Sequence, residues 1–275
     1  MSYRLYCDYP NDQIDHFIAI SSLEQNFHPA LGFLQRNNYT AFNWHLYFAP
    51  RWFTKYGIRQ LDIGLWDLAY FISQSTGELE SWTNQSRPLG FILKSGDRFE
   101  LNIQQSFDRL DNSFALTDSA IIPIGLYHMN RTEFVFNSYQ ARRFWVQLQY
   151  NFGKYYSGRI KTFATSVGIN FSRHLNILTD YSYNIVNLPL FKVITHQLDQ
   201  YINYALSTKL DISLFAQWNS LEDVMLYNFR LHWIPKIGSD CYFVYNRGYE
   251  GLNNFRFSHP SISSGAAKLV WRFVF

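Results

Sequence analysis

The chain has 275 residues, of which 47% are hydrophobic, 19% aromatic and only 16% charged, with a formal net charge of +3. That charged share is well below the roughly 25% of ordinary soluble domains, and the scattered basic residues form no run of the kind that tracks phosphates, which argues against nucleic acid as a partner. No stretch approaches the ~18 uninterrupted apolar residues of a membrane-spanning helix, so a lipid-facing chain of this composition would have to use alternating strands.

Met1 leads straight into SYRLYCDYP, which already alternates, with no basic n-region, apolar h-region or small-residue cleavage site before it. From there a period of two predicts strands near residues 2–9, 13–22, 39–49, 58–73, 79–93, 98–108, 127–137, 143–152, 159–172, 175–186, 193–206, 210–219, 223–234, 240–248 and 264–275. Many reach ten residues or more, the length a tilted membrane strand needs. No segment carries a helical period.

The two faces of these strands separate cleanly. In 98–108, Phe99, Leu101, Ile103 and Phe107 oppose Glu100, Asn102, Gln104, Ser106 and Asp108. In 159–172, Phe163, Val167, Ile169 and Phe171 oppose Thr162, Ser166, Gly168 and Asn170. In 210–219, Ile212, Leu214, Ala216 and Trp218 oppose Asp211, Ser213, Gln217 and Asn219. In 223–234, Met225, Tyr227, Phe229, Leu231 and Trp233 oppose Asn228, Arg230 and His232. The last strand sets Leu269, Trp271, Phe273 and Phe275 against Lys268 and Arg272 and stops on an aromatic residue. Outer-membrane barrels commonly end this way, and Phe275 is the expected contact for barrel-assembly machinery.

The polar faces are rich in Ser, Asn and Gln, where a soluble sandwich would show more Lys and Glu to solvent. They read as the wall of a wet lumen, with Glu100, Asn102, Gln104, Asp211, Gln217, Asn228, Arg230, His232, Lys268 and Arg272 as candidate lumen-facing residues. The expected fold is therefore all-β, one antiparallel transmembrane β-barrel domain of about 14–15 strands over residues 1–275, in contact with outer-membrane lipid. Counted back from a periplasmic C-terminus, the three longest connections, 23–38, 109–126 and 249–263, all fall on the outward side, as long loops of such barrels do. Single-chain bacterial barrels have even strand numbers, so an odd count implies that 2–9 does not span or that upstream strands precede it.

Several segments together resemble one family. They are NFHPALGF (Asn26 to Phe33), SGDRFELNI (Ser95 to Ile103), DRLDNSF (Asp108 to Phe114), IIPIGLY (Ile121 to Tyr127), YNIVNLP (Tyr183 to Pro189) and LHWIPKIGSDCYFVYNRG (Leu231 to Gly248). In this order they are similar to the C-terminal barrel region of the outer-membrane family called domain of unknown function 5916. Members are longer, with a signal peptide, a module similar to family-nine carbohydrate-binding modules, and further strands. The resemblance implies a Gram-negative outer membrane, a C-terminal portion of a larger barrel, and a link to carbohydrate through a module absent from this sequence. It carries over no catalytic residues.

Catalytic motifs do not emerge. The sequence has no G-x-S-x-G, H-E-x-x-H, P-loop or dinucleotide fingerprint, so no catalytic, cofactor or metal residues are assigned. His45, His196 and His232 lie in predicted strands and read as hydrogen-bonding wall residues, since no partner spacing supports metal ligation. Asp108 with Asp111, and Glu222 with Asp223, are acid pairs in turn-forming contexts. Arg51, Arg142 and Arg143 sit near predicted periplasmic turns. Cys7 and Cys241, far apart in sequence, read as separate thiols, with a disulfide between them as the alternative in an oxidising periplasm. The function expected is a pore or a surface anchor and channel. The competing readings are an outer-surface hydrolase acting on lipid or glycan and a structural partner in an envelope complex.

Overall fold

A computed structural model describes residues 2–27, 38–117, 120–251 and 260–273. Strands make up 75% of it and it contains no α-helix. In chain order the strands are β1 (Ser2–Tyr9), β2 (Ile14–Leu23), β3 (Tyr39–Phe48), β4 (Ile58–Leu61), β5 (Ile63–Ser73), β6 (Leu79–Leu93), β7 (Arg98–Leu110), β8 (Phe114–Ala115), β9 (Ile121–Ile122), β10 (Gly125–Asn137), β11 (Phe144–Tyr155), β12 (Gly158–Asn170), β13 (Leu175–Asn187), β14 (Lys192–Ser207), β15 (Leu210–Asn219), β16 (Val224–Lys236), β17 (Ser239–Glu250) and β18 (Pro260–Val270), with one 3-10 turn at Thr54–Tyr56. Sixteen of them form one antiparallel sheet in which successive long strands are neighbours from β1 to β18, with β4 joined to β6. The short β8 and β9 pair only with each other inside the loop after β7, where Ile122 is fully buried.

The chain divides into two compact units, one formed by Met1–Phe136, Tyr150–Lys161 and Val186–Val193, the other by Asn137–Gln149, Thr162–Ile185 and Ile194–Phe275.

Two predicted strands are corrected. The segment 58–73 is two strands, because the ladder breaks at Asp62, whose amide donates to the Gly90 carbonyl at 2.8 Å. The last strand runs over Pro260–Val270 instead of 264–275. Its ladder runs from Pro260 opposite Tyr249 to Val270 opposite Asp240, near the start of β17. Past Val270 the Arg272 amide donates to the Ser239 hydroxyl instead of to a strand carbonyl, and the alternation of Trp271 and Phe273 continues without a ladder. Phe275 lies outside the described residues, as do most of the expected long loops 23–38 and 249–263.

Burial is inverted relative to a soluble β-sandwich, in which facing apolar surfaces form a dry core. Among the described residues, eight hydrophobic side chains are buried, and three of them are alanines, whereas ten polar or charged ones are, including Arg87, Glu100, Asn102, Glu133 and Asn151. Many large apolar side chains are exposed instead. Leu126, Phe134, Phe144, Leu148, Tyr150, Phe163, Trp233 and Phe243 are all exposed. Every residue of β1 and β18, the two ends of the sheet order, is exposed as well.

One irregularity in the first unit positions the buried charges. Between Ser86↔Ile103 and Leu89↔Leu101, two residues of β6, Arg87 and Pro88, oppose the single Asn102 of β7. Pro88 has no N–H to give to the ladder, so a bulge is where a strand tolerates it. The bulge turns Arg87 onto the polar face. Gly90 completes it, since a Cβ there would lie 2.2 Å from the Asp62 carbonyl oxygen and 2.6 Å from Arg87 Cδ. Gly90→Ala is expected to cost about 1–3 kcal/mol through overpacking. Gly265→Ala, whose methyl would meet nothing nearer than 3.7 Å, is expected to be silent. Thermal unfolding of the two variants in detergent checks the contrast.

Candidate functional site

The alternation of β7 places Arg98, Glu100, Asn102 and Gln104 on one face, and β10 and β11 bring Glu133 and Asn151 to the same cluster. The result is a continuous ladder of charge and amide groups in the first unit. Arg87 Nη1 reaches Asp62 Oδ2 at 2.8 Å and its Nη2 reaches Glu100 Oε2 at 2.8 Å. Arg98 Nη2 lies 2.5 Å from the same Asp62 oxygen, and its Nε is 2.6 Å from Glu100 Oε1, a close charge contact without good hydrogen-bond alignment. Arg87 Nε donates to Asn102 Oδ1 at 3.0 Å. Asn102 Nδ2 donates to Glu133 Oε2 at 2.9 Å and to Glu100 Oε2 at 3.2 Å. Asn151 Nδ2 donates to Gln104 Oε1 at 3.0 Å and, more weakly, to Glu133 Oε1 at 3.5 Å, and Gln104 Nε2 donates to Gln85 Oε1 at 3.2 Å.

Arg87, Glu100, Asn102, Glu133 and Asn151 are each at most 8% exposed. Buried charge is tolerable only when paired and hydrogen-bonded. Here both oxygens of Glu100 and both of Glu133 face donors, and the Tyr47 ring lies under the Arg87 guanidinium with 5.6 Å to the ring centroid. Carboxylates held in this way are fixed in place by their neighbours.

Polar cavities flank the ladder within this unit. One of about 410 Å3, lined by Asn11, Asp12, Tyr47, Asp62, Arg87 and Arg98 among others, lies toward the β1–β2 turn. A second of about 300 Å3 lies along Asp67, Thr83, Gln85, Gln104, Ser106 and Arg131. A third, of about 760 Å3, shares Asp67 with the second and continues along β1–β3 past Arg4, Ser22, Asn43 and His45. Tyr47 donates to Asp67 Oδ2 at 3.0 Å.

The second unit has a lighter polar face. Thr162 Oγ1 donates to Asn184 at 2.8 Å and Asn184 to Thr195 at 3.1 Å, a stripe across β12–β14. Asn228 donates to Asn246 and Asn246 to Ser264 at 3.3 Å, a second stripe across β16–β18, joined by Arg230 Nε on Asn228 at 2.8 Å. His232 stacks on Tyr242 with centroids 4.2 Å apart, its Nδ1 3.2 Å from Asp211 and its Nε2 3.0 Å from Asp240. The two carboxylates meet opposite ring nitrogens, so they do not converge on one point.

Of the candidate residues, Glu100, Asn102 and Gln104 thus lie in the ladder, Asp211 with His232, and Asn228 with Arg230. Gln217 is in register with Asp199 and Leu226, and Lys268 with Tyr242. Arg272 lies past the end of β18, its amide donating to Ser239 Oγ at 2.9 Å. Of the other histidines, His45 Nε2 lies 3.6 Å from Asp15, and His196 Nδ1 lies 2.8 Å from the Tyr181 hydroxyl. Arg51 pairs with Asp12 at the turn, Asp108 accepts from the Tyr156 hydroxyl at 3.1 Å, and both cysteines are free thiols.

Sequence reasoning missed Asp62, Arg87, Glu133 and Asn151. Two signals pointed to the first pair: a proline beside Arg87 inside a strand, and Asp62 between the apolar Leu61 and Ile63 in the 58–73 segment. Among the described residues no group of three or more His, Cys, Asp or Glu is placed to hold a metal ion. Compared with known proteins, the chain matches no family model and no curated protein.

Proposed function

We propose that this chain forms the wall of an outer-membrane β-barrel. Its exposed apolar faces meet lipid, and its polar faces line a narrow aqueous path constricted by the Asp62–Arg87–Arg98–Glu100–Asn102–Glu133 ladder. The observation that carries the reading is the inverted burial, with charged and amide groups buried and many aromatic and aliphatic residues exposed, which matches what a bilayer asks of a strand. Backbone in lipid leaves no edge unpaired, so the proposal is of a closed barrel in which the outer edges of β1 and β18 both have partners. The cavities on either side of the ladder are the two arms of the path, and the ladder is its tightest point. The resemblance to the barrel region of domain of unknown function 5916 would tie the barrel to carbohydrate only through the module that accompanies it in that family, and the path itself is given no carbohydrate ligand. The proposal gives the ladder no catalytic step, because its carboxylates are already engaged by donors.

Planar-bilayer recording tests this. Purified protein is expected to give small discrete conductance steps, enlarged in Arg98→Ala/Glu100→Ala, which removes one pair of opposite charges from the constriction. A complete lack of steps from both proteins would overturn the pore.

A further inference from the structure

On β15–β17 the apolar face carries, in register, Leu214, Phe229 and Tyr245, then Ala216, Tyr227 and Arg247, then Trp218, Met225 and Tyr249. Among the described residues of this face, Arg247 is the one cation between the Trp233↔Cys241 and Met225↔Tyr249 pairs. Its Nη1 donates to the Tyr245 hydroxyl at 3.3 Å and its guanidinium lies 5.2 Å from the Tyr249 ring centroid. Its Nε is shielded from solvent and has no hydrogen-bond partner among the described residues. Beside it is a cavity of about 280 Å3 lined by Leu214, Tyr227, Phe229, Tyr245, Arg247 and Tyr249. Beyond Tyr245 and Arg247, the partners on β18 are Gly265 and Ser263, so among the described residues of that strand no bulky side chain is in register with them.

We infer that this pocket binds the phosphate headgroup of a membrane lipid, with an acyl chain lying along Leu214 and Phe229. The inference rests on the reading that this face meets the bilayer. A guanidinium on a lipid-facing surface is costly unless it reaches the headgroup layer or a counter-charge. Arg247 is three pairs from the Val224↔Glu250 end of the ladder, within reach of that layer, and tyrosines favour the same depth. The fork of an arginine matches phosphate oxygens two at a time. The charge selects an anion and the aromatic walls select an amphiphile over a free ion.

Native mass spectrometry of the full chain released from detergent micelles, incubated with phosphorylated lipid A, its dephosphorylated form or inorganic phosphate, tests the site. Wild-type protein is expected to retain one phosphorylated lipid, about tenfold or more over Arg247→Gln, as loss of a charge-assisted hydrogen bond implies. Arg230→Gln, on the polar face, should retain it as wild type does. Inorganic phosphate should not displace it. Equal retention by Arg247→Gln, equal retention of the dephosphorylated lipid, or displacement by inorganic phosphate would overturn the site. Protein that stays soluble and monomeric without detergent would instead overturn the membrane reading beneath it.

Discussion

Arg87→Met is expected to lower stability by about 3–5 kcal/mol, the usual result of removing one partner from a buried ion pair. The loss should be large because Arg87 touches three groups at once. It pairs with Asp62 and Glu100 and donates to Asn102. Without it Glu100 keeps only the Arg98 contact and the Asn102 amide, in a site from which water is largely excluded. The double variant Arg87→Met/Glu100→Met leaves Asp62 with Arg98 and removes the uncompensated charge, so it should recover much of the loss. Urea unfolding of the single and double variants reconstituted in lipid gives the comparison. A single variant as stable as wild type would mean that the ladder is solvated and does not hold β6, β7 and β10 together.

Phe163→Arg is expected to cost about 2–4 kcal/mol in a bilayer, the range for a cation near the midplane of a barrel's lipid face. Phe163 is exposed on β12, on the face opposite Thr162. On a protein bathed in water the same change would be close to neutral, since surface substitutions usually fall within about 0.5 kcal/mol. Unfolding in lipid vesicles therefore separates a lipid face from a solvent face by a difference several times the usual error.

Much of the fold was legible because alternation is a local property. Whether Phe229 and Arg230 point apart depends only on their being neighbours on an extended chain. Boundaries were less legible, because they depend on what lies alongside. Pro260 to Ser263 reads as a turn by composition, yet it pairs with Arg247 to Tyr249 of β17. The ladder was the least legible part. Its ties join residues 25 positions apart at Asp62–Arg87 and 31 apart at Asn102–Glu133, and they need the β6 bulge to aim Arg87. Glu100, Asn102 and Gln104 could be found from one strand alone, whereas their partners required the register between strands. Arg247 escaped for the opposite reason. The period of two puts it on the apolar side, where a cation looks like an error in the assignment until Tyr245 and Tyr249 are seen on either side of it.

The central claim is that the apolar faces meet lipid and the polar faces meet water. Spin labels placed one at a time at Thr162, Phe163, Ser166 and Val167, in a chain lacking Cys7 and Cys241 and reconstituted in bilayers, test it through collision with oxygen and with a water-soluble nickel chelate. The account predicts that labels at Phe163 and Val167 collide preferentially with oxygen, and that those at Thr162 and Ser166 favour the nickel chelate or are shielded from both. Preferential nickel collision at Phe163 and Val167 would contradict it.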